Sequence, residues 1–110
     1  MNVRFATQTL DYLEELVTIL YQKGYFSWLD TSEKYVDELV CDIIITLPLC
    51  PHKPAPKYFA RYGKNMYYAA FRKNKQTTWY AFFSKYNDNG NMIYLVRYIA
   101  NNHIVAQHLR

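Results

Sequence analysis

The lysines and arginines in the second half of the chain are the residues whose types and spacing best suit chemistry. Residues 53–110 carry ten Lys and Arg against the single acid Asp88, a net charge of +9, whereas residues 1–52 carry three against eight acids, a net charge of −5. The basic half also holds thirteen of the twenty aromatic residues, including eight tyrosines. Cations interleaved with flat rings suit nucleic acid, and this charge asymmetry also suits an acidic protein partner.

The same residues also have a purely structural explanation, which does not involve nucleic acid. Aromatic residues in strands commonly fill the core or pair across strands, and the cations between them then form a solvated sheet face. Arg61 and Arg72 fit either explanation. Arg97 lies within an apolar stretch, which leaves open whether it is buried with a partner or lines a concave face. Strand alternation alone does not orient these side chains.

Several other chemistries are excluded by the residues present. The three glycines are too scattered to form a phosphate-binding loop, and no histidine has Cys or carboxylate neighbours at metal-ligand spacing. Cys50 and His52 are near each other but lack a group to orient the histidine, so a nucleophile is not predicted. Cys41 and Cys50 fit two reduced thiols. We therefore predict neither a metal site nor a cofactor.

Length and composition predict one domain over residues 1–110. The N-terminal residues carry Arg4 and then a run of acids, which is wrong for a signal peptide. The longest apolar run, around Ile43, falls far short of the ~20 residues that span a membrane. These features predict a soluble, cytoplasmic protein without a membrane partner.

Two amphipathic helices are predicted in the acidic half. Apolar residues recur every three or four positions over residues 9–23, with acids in the first turns where the helix dipole favours them. The same period returns at Asp30 and continues until Pro48 ends it. A short strand over residues 2–7 precedes the helices, and the apolar residues 25–29 are expected to pack as a corner between them.

Beyond a proline-containing connection, the hydrophobic period becomes strand-like. Four strands are predicted, at residues 57–62, 66–73, 77–86 and 92–100. The breaks at residues 74–76 and at Asn89-Gly90 predict hairpin turns, and breaks this short require antiparallel pairing. Residues 101–110 are expected to add a final helical turn. The predicted fold is α+β, with a two-helix hairpin packed on a four-strand antiparallel meander.

This order of elements resembles the RelE/ParE toxin superfamily, the toxin halves of bacterial toxin–antitoxin modules, often described as plasmid stabilisation proteins. The resemblance covers nearly the whole chain as an architecture. Locally, Lys57-Tyr58-Phe59-Ala60-Arg61-Tyr62-Gly63 is similar to the family's basic strand that leads into a glycine. Residues 66–83 are similar to its central hairpin, and residues 96–99 to its last core strand.

The resemblance implies a choice between two activities. RelE-like members cleave mRNA in the ribosomal A site, whereas ParE-like members bind DNA gyrase and cut nothing. Cleavage needs a base for the 2′-hydroxyl, positive charge for the phosphorane and an acid for the 5′-oxygen. RelE-like members are understood to use Lys and Arg on the middle strands with a basic, His or Tyr group near the C-terminus. By this resemblance the candidate catalytic residues are His103, His108 and Arg72, and the candidate RNA-binding residues are Arg61, Lys64, Lys73 and Arg97.

The leading prediction is the toxin of a type II module, acting as a metal-independent and ribosome-dependent mRNA endoribonuclease. Its expected partners are an acidic antitoxin and the ribosome with its mRNA, and a homodimer is left open. Tyr67-Tyr68-Ala69-Ala70 stands where RelE-like members often show alternating lysines, a departure that keeps two alternatives in view. One is a non-catalytic inhibitor of DNA gyrase, and the other is a degenerate member that binds only its antitoxin.

Overall fold

A computed structural model describes residues 2–109 and shows an α+β fold. Met1 and Arg110, which end the predicted domain and tail, lie outside the described residues. Strand β1 (Val3–Phe5) is followed by helices α1 (Thr7–Gln22) and α2 (Leu29–Thr46). The chain continues through β2 (Lys53–Pro54), a 3₁₀ helix (Lys57–Tyr62), β3 (Tyr67–Arg72), β4 (Thr78–Asp88), β5 (Asn91–Asn101), α3 (Asn102–Val105) and a last 3₁₀ turn (Ala106–His108).

The two amphipathic helices are confirmed, and each buries one stripe of apolar side chains. Leu13 and Leu16 of α1 face the core with Leu39 and Ile43 of α2. The corner between them is less packed than expected. Of the apolar residues there, the Phe26 ring packs 5.2 Å from that of Tyr35, while Tyr25, Trp28 and Leu29 remain exposed.

The sheet has five strands in the order β1-β5-β4-β3-β2. Strand β1 runs parallel to β5, and the other neighbours are antiparallel. The meander of β3, β4 and β5 follows the prediction, but the expected all-antiparallel four-strand sheet is wrong. Helices α1 and α2 connect β1 at one edge of the sheet to β2 at the opposite edge, and β1 runs in the same direction as its neighbour β5.

Residues 57–62 form a 3₁₀ helix and not the predicted strand. Pro54 and Pro56 restrict the backbone before this segment, and a side chain repeats its direction every three residues in a 3₁₀ helix. Phe59 and Tyr62 therefore both turn toward the sheet, and the Phe59 ring stacks 4.2 Å from that of Phe82. This segment has the aromatic composition that is typical of a strand, but burial of its rings favours the 3₁₀ helix.

Both hairpin turns are where they were predicted. Asn89 and Gly90 have φ of 52° and 90°, and positive φ at both central residues matches the twist of the flanking strands. In the other turn, Asn74 Oδ1 accepts hydrogen bonds from the backbone N–H groups of Gln76 and Thr77, both at 2.9 Å. The predicted helical turn in the tail also forms, as α3.

Each face of the sheet carries its own core. The first is covered by α1 and α2 and is built from aliphatic side chains with Phe71, Trp79 and Phe83. The second is covered by the two 3₁₀ segments and is built around Phe59 and Phe82, with a ring of half-buried tyrosines. The second core lies within the basic half of the sequence, and five of the eight tyrosines of that half pack against it.

Candidate functional site

Arg97 occupies an irregular position in β5. Phe82 pairs with Tyr98 and Phe83 pairs with Val96, so Arg97 is an extra residue opposite β4 and forms a β-bulge. Such bulges redirect side chains. The Nε–H group of Arg97 donates to Ser84 Oγ at 2.9 Å, and its Nη2 group donates to Tyr86 Oη at 2.7 Å. Since a guanidinium has five N–H donors, three stay available for another acceptor.

Arg61 lies on the 3₁₀ helix and is held against Tyr58. Its Nε–H group donates to the Tyr58 carbonyl oxygen at 3.1 Å, and its Cζ atom lies 4.0 Å from the centre of the Tyr58 ring. Across residues 2–109 the one ion pair joins Lys73 to Asp42, so neither Arg61 nor Arg97 is neutralised by a carboxylate. Both guanidinium groups are therefore positioned and charged.

The two arginines line one cleft of about 290 Å³. The cleft lies where the edge of β5 runs past β1, between the start of α1 and the end of the 3₁₀ helix. No acidic side chain in the described part of the chain borders it. Its lining residues are Gln8, Thr9, Tyr12, Arg61, Tyr62, Arg97, Tyr98 and Ile99. We call this the arginine cleft.

Two stacked tyrosines form one wall of the arginine cleft. The rings of Tyr62 and Tyr98 lie 3.9 Å apart and are nearly parallel, at 4°. Burial, reinforced by the neighbouring Tyr62 hydroxyl, raises the pKa of Tyr98 well above its ordinary value. Tyr98 therefore keeps its proton at any physiological pH and presents a hydrogen-bond donor or a flat ring, but not a base.

Tyr86 has the opposite electrostatic environment. The hydrogen bond from Arg97 lowers the pKa of Tyr86, and Ser84 contributes in the same direction. The ring is exposed near the end of β4. A guanidinium that stabilises the phenolate raises the fraction of a tyrosine that is deprotonated, which is the form that can accept a proton.

Of the predicted catalytic residues, His108 lies nearest to the arginine cleft. Its ring stacks on that of Tyr58 at 3.5 Å and 5°, the same ring that Arg61 contacts. His103 lies on the other side of the sheet. It is exposed on α3, beside a cavity bordered by Leu16 and Trp79. The two histidines therefore do not form one acid–base pair.

The remaining predicted residues are spread around the sheet. Arg72 is exposed at the end of β3, where its Nε–H group donates to the Asn74 carbonyl oxygen at 3.1 Å. Lys73 contacts Asp42 of α2 at 3.4 Å, on the helix-covered side. Lys64 is exposed in the loop after Gly63. Among the predicted set, only Arg61 and Arg97 share the arginine cleft, with His108 adjoining it through Tyr58.

The sequence did not identify the tyrosines that form the wall or the base candidate. The eight tyrosines in the basic half indicated an aromatic surface, but they did not show which of them form the site. Histidines ranked ahead of them because an unperturbed tyrosine, with a pKa near ~10, is a poor base. The lowered pKa of Tyr86 depends on Arg97, and the bulge that brings the two together is a tertiary feature.

Comparisons with protein-family models, with curated proteins and with solved structures find no significant match to this chain. Within residues 2–109, no three His, Cys, Asp or Glu side chains are grouped so that they could hold a metal ion. No helix in that range has both the length and the hydropathy to cross a bilayer.

Proposed function

We propose that the arginine cleft binds the phosphodiester backbone of single-stranded RNA. The observation that carries this proposal is the pairing of two positioned arginines, without carboxylate partners, in one cleft with a tyrosine wall. Guanidinium groups donate two parallel hydrogen bonds to phosphate oxygens. Single-stranded bases stack on tyrosine rings, and the Tyr86 ring is exposed beside Arg97.

On this basis we further propose the toxin of a bacterial type II toxin–antitoxin module, acting in the cytoplasm as an mRNA endoribonuclease. The RelE/ParE resemblance of the α+β layout and the carboxylate-free arginine cleft support this assignment. An acidic antitoxin would cover the arginines when the toxin is held inactive, because both ligands compete for the same positive charge.

The arrangement also supports specific roles in cleavage. Tyr86 accepts the proton of the 2′-hydroxyl, and the 2′-oxygen forms a bond to phosphorus while the bond from phosphorus to the 5′-oxygen breaks. His108 donates a proton to the departing 5′-oxygen. Arg97 and Arg61 stabilise the negative charge that builds on the phosphorane. His103 and Arg72 take no part in this scheme, which revises their role as expected from the resemblance.

A non-catalytic toxin is the second candidate, and one observation favours it. The two histidines lie on opposite faces of the sheet, so a histidine acid–base pair is not assembled. In that case the arginine cleft would bind a protein, either DNA gyrase or only the antitoxin. Inhibition of gyrase supercoiling by the purified chain, with mRNA left intact, would support this candidate.

The deciding experiment presents the purified chain to ribosomes that are translating a defined mRNA and maps new RNA ends. We expect new RNA ends within the translated region, and loss of cleavage in Tyr86→Phe with RNA binding retained. Lys34→Gln, which removes a charge from the exposed surface of α2, is the matched control and should cleave normally. Binding without cleavage would reject the enzyme, and absence of both would reject the RNA proposal.

A further inference from the structure

A second cavity, of about 340 Å³, lies at the opposite side of the sheet from the arginine cleft's tyrosine wall. We call it the aromatic cavity. It opens between α1, the corner before α2, the β3–β4 turn and α3. Its walls are the rings of Tyr12, Phe26, Tyr35 and Trp79, with Leu16 and Leu20 also lining it. Its volume is at the lower end of the roughly 300–1,000 Å³ found for small-molecule sites.

The walls of the aromatic cavity contain no buried hydrogen-bonding group that a ligand would have to satisfy. The buried Trp79 indole Nε1–H group donates to Tyr35 Oη at 2.9 Å, so its only donor is satisfied. In the described residues, no buried side-chain nitrogen or oxygen is left without a partner. A ligand in this cavity would therefore gain chiefly from contact with flat apolar surfaces.

The rim of the aromatic cavity carries several hydrogen-bond donors. Lys23 at the end of α1 and His103 on α3 border the cavity, together with Asn74 and Asn101. The Asn74 Oδ1 atom accepts from Thr77 N–H and the Asn101 Oδ1 atom accepts from His103 N–H, which leaves the two amide NH₂ groups. No Asp or Glu of residues 2–109 borders the cavity. The rim is therefore suited to a negative group.

We propose that the aromatic cavity binds a small planar aromatic molecule that carries one anionic group, such as a carboxylate. The ring lies among the four aromatic walls, and the anion contacts Lys23 and His103 at the rim. This site gives His103 a binding role in place of the catalytic role expected from the sequence. It shares only Tyr12 with the arginine cleft, and it stands whether or not the RNA proposal holds.

The test compares two probes with the same ring system, 2-naphthoate and the neutral 2-naphthylmethanol, by NMR titration of the ¹⁵N-labelled chain. We expect naphthoate to shift the signals of Trp79, Asn101 and His103, and to bind more tightly than the alcohol. Because the variant loses a charge-assisted hydrogen bond to the carboxylate, Lys23→Gln should weaken naphthoate binding roughly tenfold or more and leave the alcohol unaffected. His103→Gln should act in the same direction.

Two further variants make the result decisive. Lys57→Gln removes the same charge from a residue outside the aromatic cavity and should bind both probes as the unmodified chain does. Ile104 lines the cavity but is 55% exposed, so Ile104→Trp should keep the fold while narrowing the entrance and weakening both probes. Shifts that map elsewhere, or naphthoate binding that Lys23→Gln leaves unchanged, would overturn the proposal.

Discussion

The two faces of the sheet bury different kinds of side chain. On the helix-covered face, Leu39, Ile43 and Leu47 are fully buried, and an aliphatic side chain has no polar atom to leave at the edge. On the other face, Phe59 and Phe82 form a small core, and the tyrosines around it are half-buried. A tyrosine buries its ring while its hydroxyl remains available. The aromatic face can therefore be core and binding surface together.

Charge follows the same division. The eight acids of residues 1–52 all lie in α1 and α2, whereas every strand except β1 belongs to the basic half. Because α1 and α2 cover one face, the cations near the other face and its edges form the accessible positive surface. The helix-covered face stabilises the fold, whereas the other face both stabilises the fold and carries Arg61 and Arg97.

The largest expected effect separates stability from binding. Leu39→Ala on the helix-covered face should lower the free energy of unfolding by about 2–5 kcal/mol, because it leaves a cavity where the side chain is fully buried. RNA affinity per folded molecule should not change, as measured by denaturant titration and by anisotropy of a labelled single strand. A large loss of affinity in the folded variant would mean that the two faces are coupled.

The reverse pattern is expected for Arg97→Gln. RNA affinity should fall roughly tenfold, or about 1.4 kcal/mol, since the residue offers a charged donor to phosphate. For a single strand, the slope of log K against log[salt] should flatten by about 0.7 for each phosphate that the variant no longer neutralises. Arg97→Lys keeps the charge but loses the planar fork, so it should restore the slope more fully than the affinity. An unchanged slope in Arg97→Gln would remove Arg97 from the RNA site.

Gly63→Ala should act through Arg97 with a smaller effect. A Cβ atom at Gly63 would lie 2.9 Å from Arg97 Cδ and 3.0 Å from Met66 Sδ, so these side chains must shift. Displacing a side chain from its preferred rotamer costs about 0.5–1.5 kcal/mol, which predicts a two- to tenfold loss of RNA affinity.

The control for this variant is the double substitution. In the Arg97→Gln background, Gly63→Ala should cause little further loss, because the side chain that it displaces is gone. Equal losses in both backgrounds would show that Gly63 affects binding by another route.

The smallest effect is a change in stability at high pH. Folding raises the pKa of Tyr98 above its ordinary value of 10.0, so the unfolded chain loses this proton first as the pH rises. The contribution of Tyr98 is therefore fully present below pH 10.0 and is lost above it. Thermal unfolding of the unmodified chain and of Tyr98→Phe should converge as the pH increases beyond that point. Tyr86→Phe, on an exposed ring, should not reproduce the change.

Much of the fold could be predicted because it depends on local patterns. The helical stripes of α1 and α2 and the Asn89-Gly90 turn are encoded within a few residues of where they form. The segment 57–62 could not be predicted, since its composition suits a strand and only stacking of Phe59 on Phe82 selects a 3₁₀ helix. The candidate site followed the same rule. Cations and tyrosines could be counted from the sequence, but the sequence did not show which of them lie together in the folded chain.

The sequence by itself determined the separation of charge, the α+β class and the concentration of aromatic residues in the basic half. The tertiary structure alone decided that β1 pairs parallel to β5 and that Arg61 and Arg97 share a cleft while His103 and His108 lie apart. The physical reason is register. Side chains alternate between the faces of a strand, so the one extra residue at Arg97 changes which face its neighbours occupy. That bulge forms only when β4 and β5 pair.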